Sequence, residues 1–137
     1  MTLVDFACGQ GGPGLWVAAR TGANLVGVDY SAVGVRQAAQ RAADLGLAKR
    51  ARFVVADAAA TGLGDKSADA AMSIDAIQLM PHKGAVLAEV RRVLRPSAPF
   101  IFTTWEAVEG GPDTIGQATF EPLVPLLEVS GFRVARR

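Results

Sequence analysis

The sequence predicts an α/β domain, a mostly parallel sheet with helices packed on both faces. Short β-rich runs alternate with longer segments of helical periodicity. The runs are apolar throughout, as strands buried on both faces are. A glycine-rich turn follows the first run directly, with Pro13 placed where a helix can begin. At 137 residues, 50% of them hydrophobic, the chain has the size of a single domain, 1–137, and can bury roughly two thirds of its unfolded surface.

The elements follow in order. Strands are expected at Leu3–Ala7, Asn24–Asp29, Arg52–Ala56, Ala70–Ile74 and Pro99–Thr104. After the second strand Ser31 is a helix N-cap. Val35, Ala38, Ala39, Ala42 and Leu45 then share one face, Arg36, Gln40 and Asp44 the other, and Gly46 closes the helix. Gly84–Leu94 repeats the design, with Val86, Leu87, Val90 and Leu94 inward and Pro96 as the stop. Adjacent glycines, Pro112 and the lack of a period make 106–117 a loop. Residues 119–131 carry a helical apolar pattern despite Pro122 and Pro125, and 132–135 read as the start of a sixth strand. Trp16 and the phenylalanines read as core.

Composition excludes several classes. The net charge is +1 with the charges scattered, so no basic stripe points to nucleic acid. Apolar stretches are interrupted well before the roughly twenty residues a bilayer span needs, and no charged-then-apolar leader precedes the first strand. A soluble, cytoplasmic protein is expected. Cys8 is the only cysteine, which leaves no internal disulfide and no thiolate cluster for a metal.

The chemistry concentrates in LVDFACGQGG, residues 3–12. A glycine turn between strand and helix lets the backbone approach a ligand and aims helix N–H groups at it. Two cofactor classes fit. Gly9, Gly11 and Gly14 spell G-x-G-x-x-G, with Asp29 about twenty residues on, as in nicotinamide dinucleotide sites. Asp5, Ala7, Gly9 and Gly11 also resemble the E/D-x-G-x-G-x-G motif of class I, Rossmann-like S-adenosylmethionine (SAM) methyltransferases, with Ala7 in place of the first glycine. That resemblance continues through GVDYS (27–31), ADA (56–58) and EVRRVLRP (89–96), in order and over nearly the whole chain. SIDAIQLMPH together with FTTWE resembles the bacterial small-molecule subgroup.

The resemblance implies a three-layer sandwich with strand order 3-2-1-4-5, lacking the N-terminal cap and the last antiparallel strand, so that the fifth strand has an unpaired edge favouring self-association. It implies SAM as cofactor, S-adenosyl-L-homocysteine as product and a small-molecule methyl acceptor as partner. Phe6, Ala7, Cys8, Gly9 and Gly11 would then line the methionine part, with Asp5 near its ammonium. Asp29 would accept the ribose hydroxyls, with Tyr30 packing on the sugar or base. Asp57 would accept the adenine amine and Ala58 offer its N–H, while Ser73 would close the fourth strand beside the methionine group. Asp75 and His82 are candidate proton acceptors, and Trp105 and Glu106 candidate substrate contacts. Plain alternatives stand beside these: Asp29 as a helix cap, Asp57 as a solvated turn acid, Ser73 as a strand-end polar residue, Cys8 as packing. A noncatalytic SAM-binding module is the rival from a different functional class.

Overall fold

Five strands, β1 (Thr2–Phe6), β2 (Asn24–Asp29), β3 (Ala51–Val55), β4 (Ala70–Ile74) and β5 (Phe100–Thr103), pair in parallel in the order β3-β2-β1-β4-β5. The computed structural model describes residues 1–135. The strands lie where the sequence predicts them, with ends moved by about one residue, the usual uncertainty of a boundary. The chain runs outward from β1 to β3, then returns to β4 on the other side of β1. That reversal opens a crevice at the carboxyl ends of β1 and β4, where open α/β sheets hold their ligands.

Side-chain alternation divides the core. Val4, Phe6, Val26 and Val28 face helix α3 (Lys83–Val93) through Val86, Val90 and Val93. Leu3 and Leu25 point the other way, toward Leu15 and Ala18 of α1 (Gly12–Thr21) and Ala42 of α2 (Ala32–Asp44). A short helix, α4 (Leu123–Val129), packs on α3.

α2 is capped as expected. The Ser31 hydroxyl accepts the Gly34 N–H at 3.1 Å. At the other end Gly46, with φ 72°, lets its own N–H reach Ala43 O and that of Leu47 reach Ala42 O, a Schellman closure. The inward face is shorter than predicted: Val35, Ala38 and Ala42 are buried, whereas Ala39 and Leu45 are exposed. Leu47 fills the place expected for Leu45, because the Gly46 turn folds it back under the helix.

Four further readings are corrected. Trp16 is 60% exposed and lies under the Arg20 guanidinium, 4.3 Å from its ring centre; amphipathic α1 turns Leu15 and Ala18 inward and Trp16 out. The expected loop 106–117 contains most of a hairpin, β6 (Thr114–Ile115) with β7 (Ala118–Thr119). β7 in turn shortens the following helix, which Pro122 confines to Leu123–Val129. Residues 132–135 form no strand. The Phe132 N–H instead closes α4 on Leu127 O, and its ring packs 5.8 Å from that of Phe100.

Candidate functional site

The turn after β1 depends on left-handed backbone at Ala7 (φ 61°), Gly9 (φ 53°) and Gly11 (φ 81°). Cys8 N–H donates to Val28 O at 2.9 Å and Gly11 N–H to Cys8 O at 2.8 Å, which fixes the turn against β2. Gly11 is the N-cap of α1, and a Cβ there would lie 3.0 Å from the Ala38 methyl. A Cβ on Gly9 would meet nothing within 4 Å, because that residue faces open space. Ala7 adopts a conformation that disfavours L-residues by about 1 kcal/mol, which gives the departure from glycine a physical consequence.

Two acids stand behind the turn. Asp29, 8% exposed, accepts Gly9 N–H on one oxygen and Ser31 N–H on the other, both at 2.9 Å. It ties the glycine turn to the end of β2 while Ser31 caps α2. Asp5, 3% exposed, receives the Gly14 N–H. Burial, then the Asp29 charge, push the Asp5 carboxyl up to about 7. Among the described residues neither acid has an ion-pair partner. Gly14 is explained here as well: a Cβ would come within 2.7 Å of Asp5 Oδ2 and 3.1 Å of Leu25. Its place in the dinucleotide pattern therefore has a packing cause. Burial followed by the charges of Asp5 and Asp29 push the Cys8 thiol up to about 12, so the sulfur is a packing group above Gly27 and no nucleophile.

A cavity of about 920 Å³ opens over these residues. One wall is formed by Asp5, Ala7–Gly9, Asp29 and Tyr30, with Asp57 and Ala58 beyond. The other is formed by residues 74–76 and 79–82, Val86, and Gln117 and Thr119 of the hairpin. Phe6, Gly11 and Ser73 lie behind the surface. The Ser73 hydroxyl donates to Phe6 O at 2.9 Å, joining β4 to the end of β1. Tyr30, 83% exposed, stands at the rim.

Asp57 closes its own turn by accepting Ala59 N–H at 2.8 Å. The rest of that loop is anchored from α3, where Glu89 accepts both Thr61 N–H and the Thr61 hydroxyl at 2.7 Å and pairs with Arg92. Hydrogen bonds from Arg92, helped by Thr61, hold the Glu89 carboxyl down at about 2. The EVRRVLRP segment thus carries a structural ion pair.

On the opposite wall Asp75 turns the chain with φ 51°, and its carboxylate accepts the Thr103 hydroxyl at 2.9 Å. The His82 carbonyl accepts Val86 N–H at 3.1 Å in the first turn of α3, leaving the imidazole exposed at the cavity. Trp105, 57% exposed, is not part of the lining. Two residues were not legible beforehand. Gln78, 3% exposed, donates to Asp75 O and accepts from the Thr104 hydroxyl. Lys83, equally buried, donates to Met80 O and to the Thr119 hydroxyl. Their side-chain partners, Thr104 just after β5 and Thr119 on β7, lie far along the chain, so no local spacing announces them. Among the described residues no His, Cys, Asp or Glu cluster suits a metal, and no helix is long and apolar enough to cross a membrane.

Comparison with known proteins agrees with this geometry. Residues 3–97 match the family model described as a methyltransferase domain. The chain is 35% identical over 103 residues to the chloroplastic tocopherol O-methyltransferase of Arabidopsis thaliana, covering 75% of this chain and 30% of that protein. With the methyltransferase GfsG of Streptomyces halstedii identity is 33% over 119 residues, covering 87% and 42%. Among solved structures, the cyclase SpnF superposes with TM-score 0.82 and 28% identity over 95% of this chain and 51% of that one. Geranyl diphosphate C-methyltransferase of Streptomyces coelicolor A3(2), in complex with Mg2+, geranyl diphosphate and S-adenosyl-L-homocysteine, gives 0.74 and 25% over 81% and 42%. The chain therefore spans less than half the length of these curated relatives. With the matched stretch taking in the glycine turn, Asp29, Asp57 and the helix before β5, the chain belongs to the methyltransferase-domain family.

Proposed function

We propose that the chain binds S-adenosyl-L-methionine in this cavity and transfers its methyl group to a small-molecule acceptor, releasing S-adenosyl-L-homocysteine. The observation that carries the reading is the pair of buried acids, Asp5 and Asp29, beside an open glycine turn and, among the described residues, without an ion-pair partner. Buried charge calls for a partner, and a ligand bearing an ammonium and a sulfonium supplies one. The donor set fits the rest of the molecule. Asp29 keeps free lone pairs for ribose hydroxyls, Tyr30 offers a ring at the rim, and Asp57 with the Ala58 N–H can read an adenine edge. Ala7, Cys8 and Gly9 give a side-chain-poor floor, supported from behind by Phe6, Gly11 and Ser73.

Bound there, S-adenosyl-L-methionine supplies a methyl group already activated by its sulfonium. The chain's own task is to hold both partners in line and accept a proton where the acceptor carries one. His82 and Asp75 occupy the wall suited to that task. Ile74, Leu79, Met80 and Val86 make the same wall apolar, which suits an acceptor with a hydrocarbon body. This reading places a single core domain in the cytoplasm, acting on a small molecule rather than on nucleic acid. Pairing of a second copy along β5, the terminal strand of the sheet among the described residues, belongs to the same proposal.

A second reading is binding without methyl transfer. The similarity to SpnF, a cyclase, supports it, because fold does not fix chemistry. Calorimetric titration with S-adenosyl-L-homocysteine, followed by transfer of labelled methyl from SAM to a panel of phenolic, sterol and prenyl diphosphate acceptors, separates the two. Binding without any transfer favours the second reading. Binding of NAD alone points to an oxidoreductase.

A further inference from the structure

From the geometry around its ammonium we infer that Lys83 is a positioning residue that fixes the β6–β7 hairpin as the acceptor-side wall of the cavity, an inference resting on the methyltransferase reading for the identity of that side. The Lys83 side chain is 2% exposed, and its ammonium makes two hydrogen bonds and one longer ion-pair contact. It donates to Met80 O at 2.9 Å and to the Thr119 hydroxyl at 2.5 Å, with Glu121 Oε1 at 3.8 Å. Met80 and Thr119 both line the cavity, whereas Lys83 does not. The ammonium thus acts through the residues it holds.

The hairpin needs such a hold. Its strands are two residues each, joined by Gly116 (φ 59°) and Gln117, and an isolated two-stranded hairpin is marginal in water. β7 packs on the 3-10 turn Ile77–Leu79, an apolar contact that does not fix direction. A buried ammonium needs acceptors, and its two hydrogen-bond acceptors here, Met80 O and the Thr119 hydroxyl, belong to the two segments that must face each other across the cavity. The arrangement therefore fixes where Thr119 stands, and with it Gln117 at the tip. It also holds the Met80–Pro81–His82 segment that presents the imidazole.

The test compares the parent chain with Lys83→Met, which keeps the stem and removes the ammonium, Thr119→Val, and Thr119→Ser, which keeps the hydroxyl. Hydrogen exchange of residues 115–120 should quicken about tenfold in the Met and Val variants, as expected when a local hydrogen bond is lost. It should return toward the parent rate in Thr119→Ser. Naphthol, as a small apolar phenol, should bind the protein loaded with S-adenosyl-L-homocysteine about fivefold more weakly in the first two variants, while the dissociation constant of S-adenosyl-L-homocysteine stays within about twofold. The double variant should be no worse than either single one. Unchanged exchange in Lys83→Met, or equal naphthol affinity in all the variants, overturns the inference. Failure of the parent to bind S-adenosyl-L-homocysteine removes the methyltransferase reading instead and leaves the exchange result to judge the hairpin.

Discussion

On the β1–β3 side of the cavity, backbone and two short carboxylates do the positioning; on the side of β4 and the hairpin, long side chains do it by reaching across segments distant in sequence. Asp29 needs only its two oxygens to join Gly9, twenty residues before it, to Ser31, two residues after it. Gln78 and Lys83 span 26 and 36 residues to Thr104 and Thr119. The first wall is stiff because its geometry follows from strand pairing and left-handed turns. The second is adjustable, since exchanging one side chain can move it. Under the proposed reading, such a division would keep the cofactor wall constant and let the acceptor wall vary.

The contrast breaks most visibly at Gly14. Gly14→Ala forces a methyl against Asp5 and Leu25 and should destabilise the fold by about 3 kcal/mol, measured by urea unfolding, with loss of cofactor binding. A neutral outcome would mean that the first wall is as adaptable as the second.

Glu89 sharpens the contrast, because it holds the Asp57–Thr61 loop of the first wall by a side-chain device. Glu89→Ala should cost about 2 to 3 kcal/mol by orphaning the Thr61 donors. Its carboxyl is depressed to about 2 in the fold, so its contribution is complete above the unfolded value of about 4.5 and is lost as pH falls toward 2. Acid unfolding of the variant should be correspondingly flatter in that window. Asp5 acts with the opposite sign. Its carboxyl is raised to about 7, so stability of the free protein should decline as pH rises from about 4 to 7, and Asp5→Asn should remove that decline.

Asp29→Ala should weaken S-adenosyl-L-homocysteine binding by about 2 kcal/mol in calorimetry, since it removes a charged acceptor and loosens Gly9. Normal binding would dismiss the ribose assignment. The smallest effect is expected at Ala7. Ala7→Gly should raise stability by about 1 kcal/mol by relieving left-handed strain, with binding retained; a loss of stability would show that the Ala7 methyl packs usefully.

The same contrast explains what the sequence made legible. Strand positions, the Ser31 cap and the Gly46 closure rest on short-range signals and appear where expected, and the strand order is the one the family resemblance implies. Asp5, Ala7–Gly9, Asp29, Tyr30, Asp57 and Ala58, singled out one by one in the sequence, come together along one wall of the cavity. The hairpin escaped because strands of two residues carry no period; Gly116–Gln117 between Thr-Ile and Ala-Thr was its only signal. Trp16 misled because size alone suggests burial, whereas the phase of α1 turns it outward. Residues 132–135 have the composition of a strand, but the closure of α4 at Gly131 takes up Phe132.

The central claim, a cationic adenosyl cofactor held by the Asp5–Asp29 wall, is tested most directly by titrating the chain calorimetrically with S-adenosyl-L-homocysteine and with NAD across neutral pH. The ammonium of the first ligand should favour ionised Asp5, so its affinity should fall as pH drops below about 7, with NAD inert throughout. Binding of NAD, with neither S-adenosyl-L-homocysteine nor SAM bound, would contradict the account.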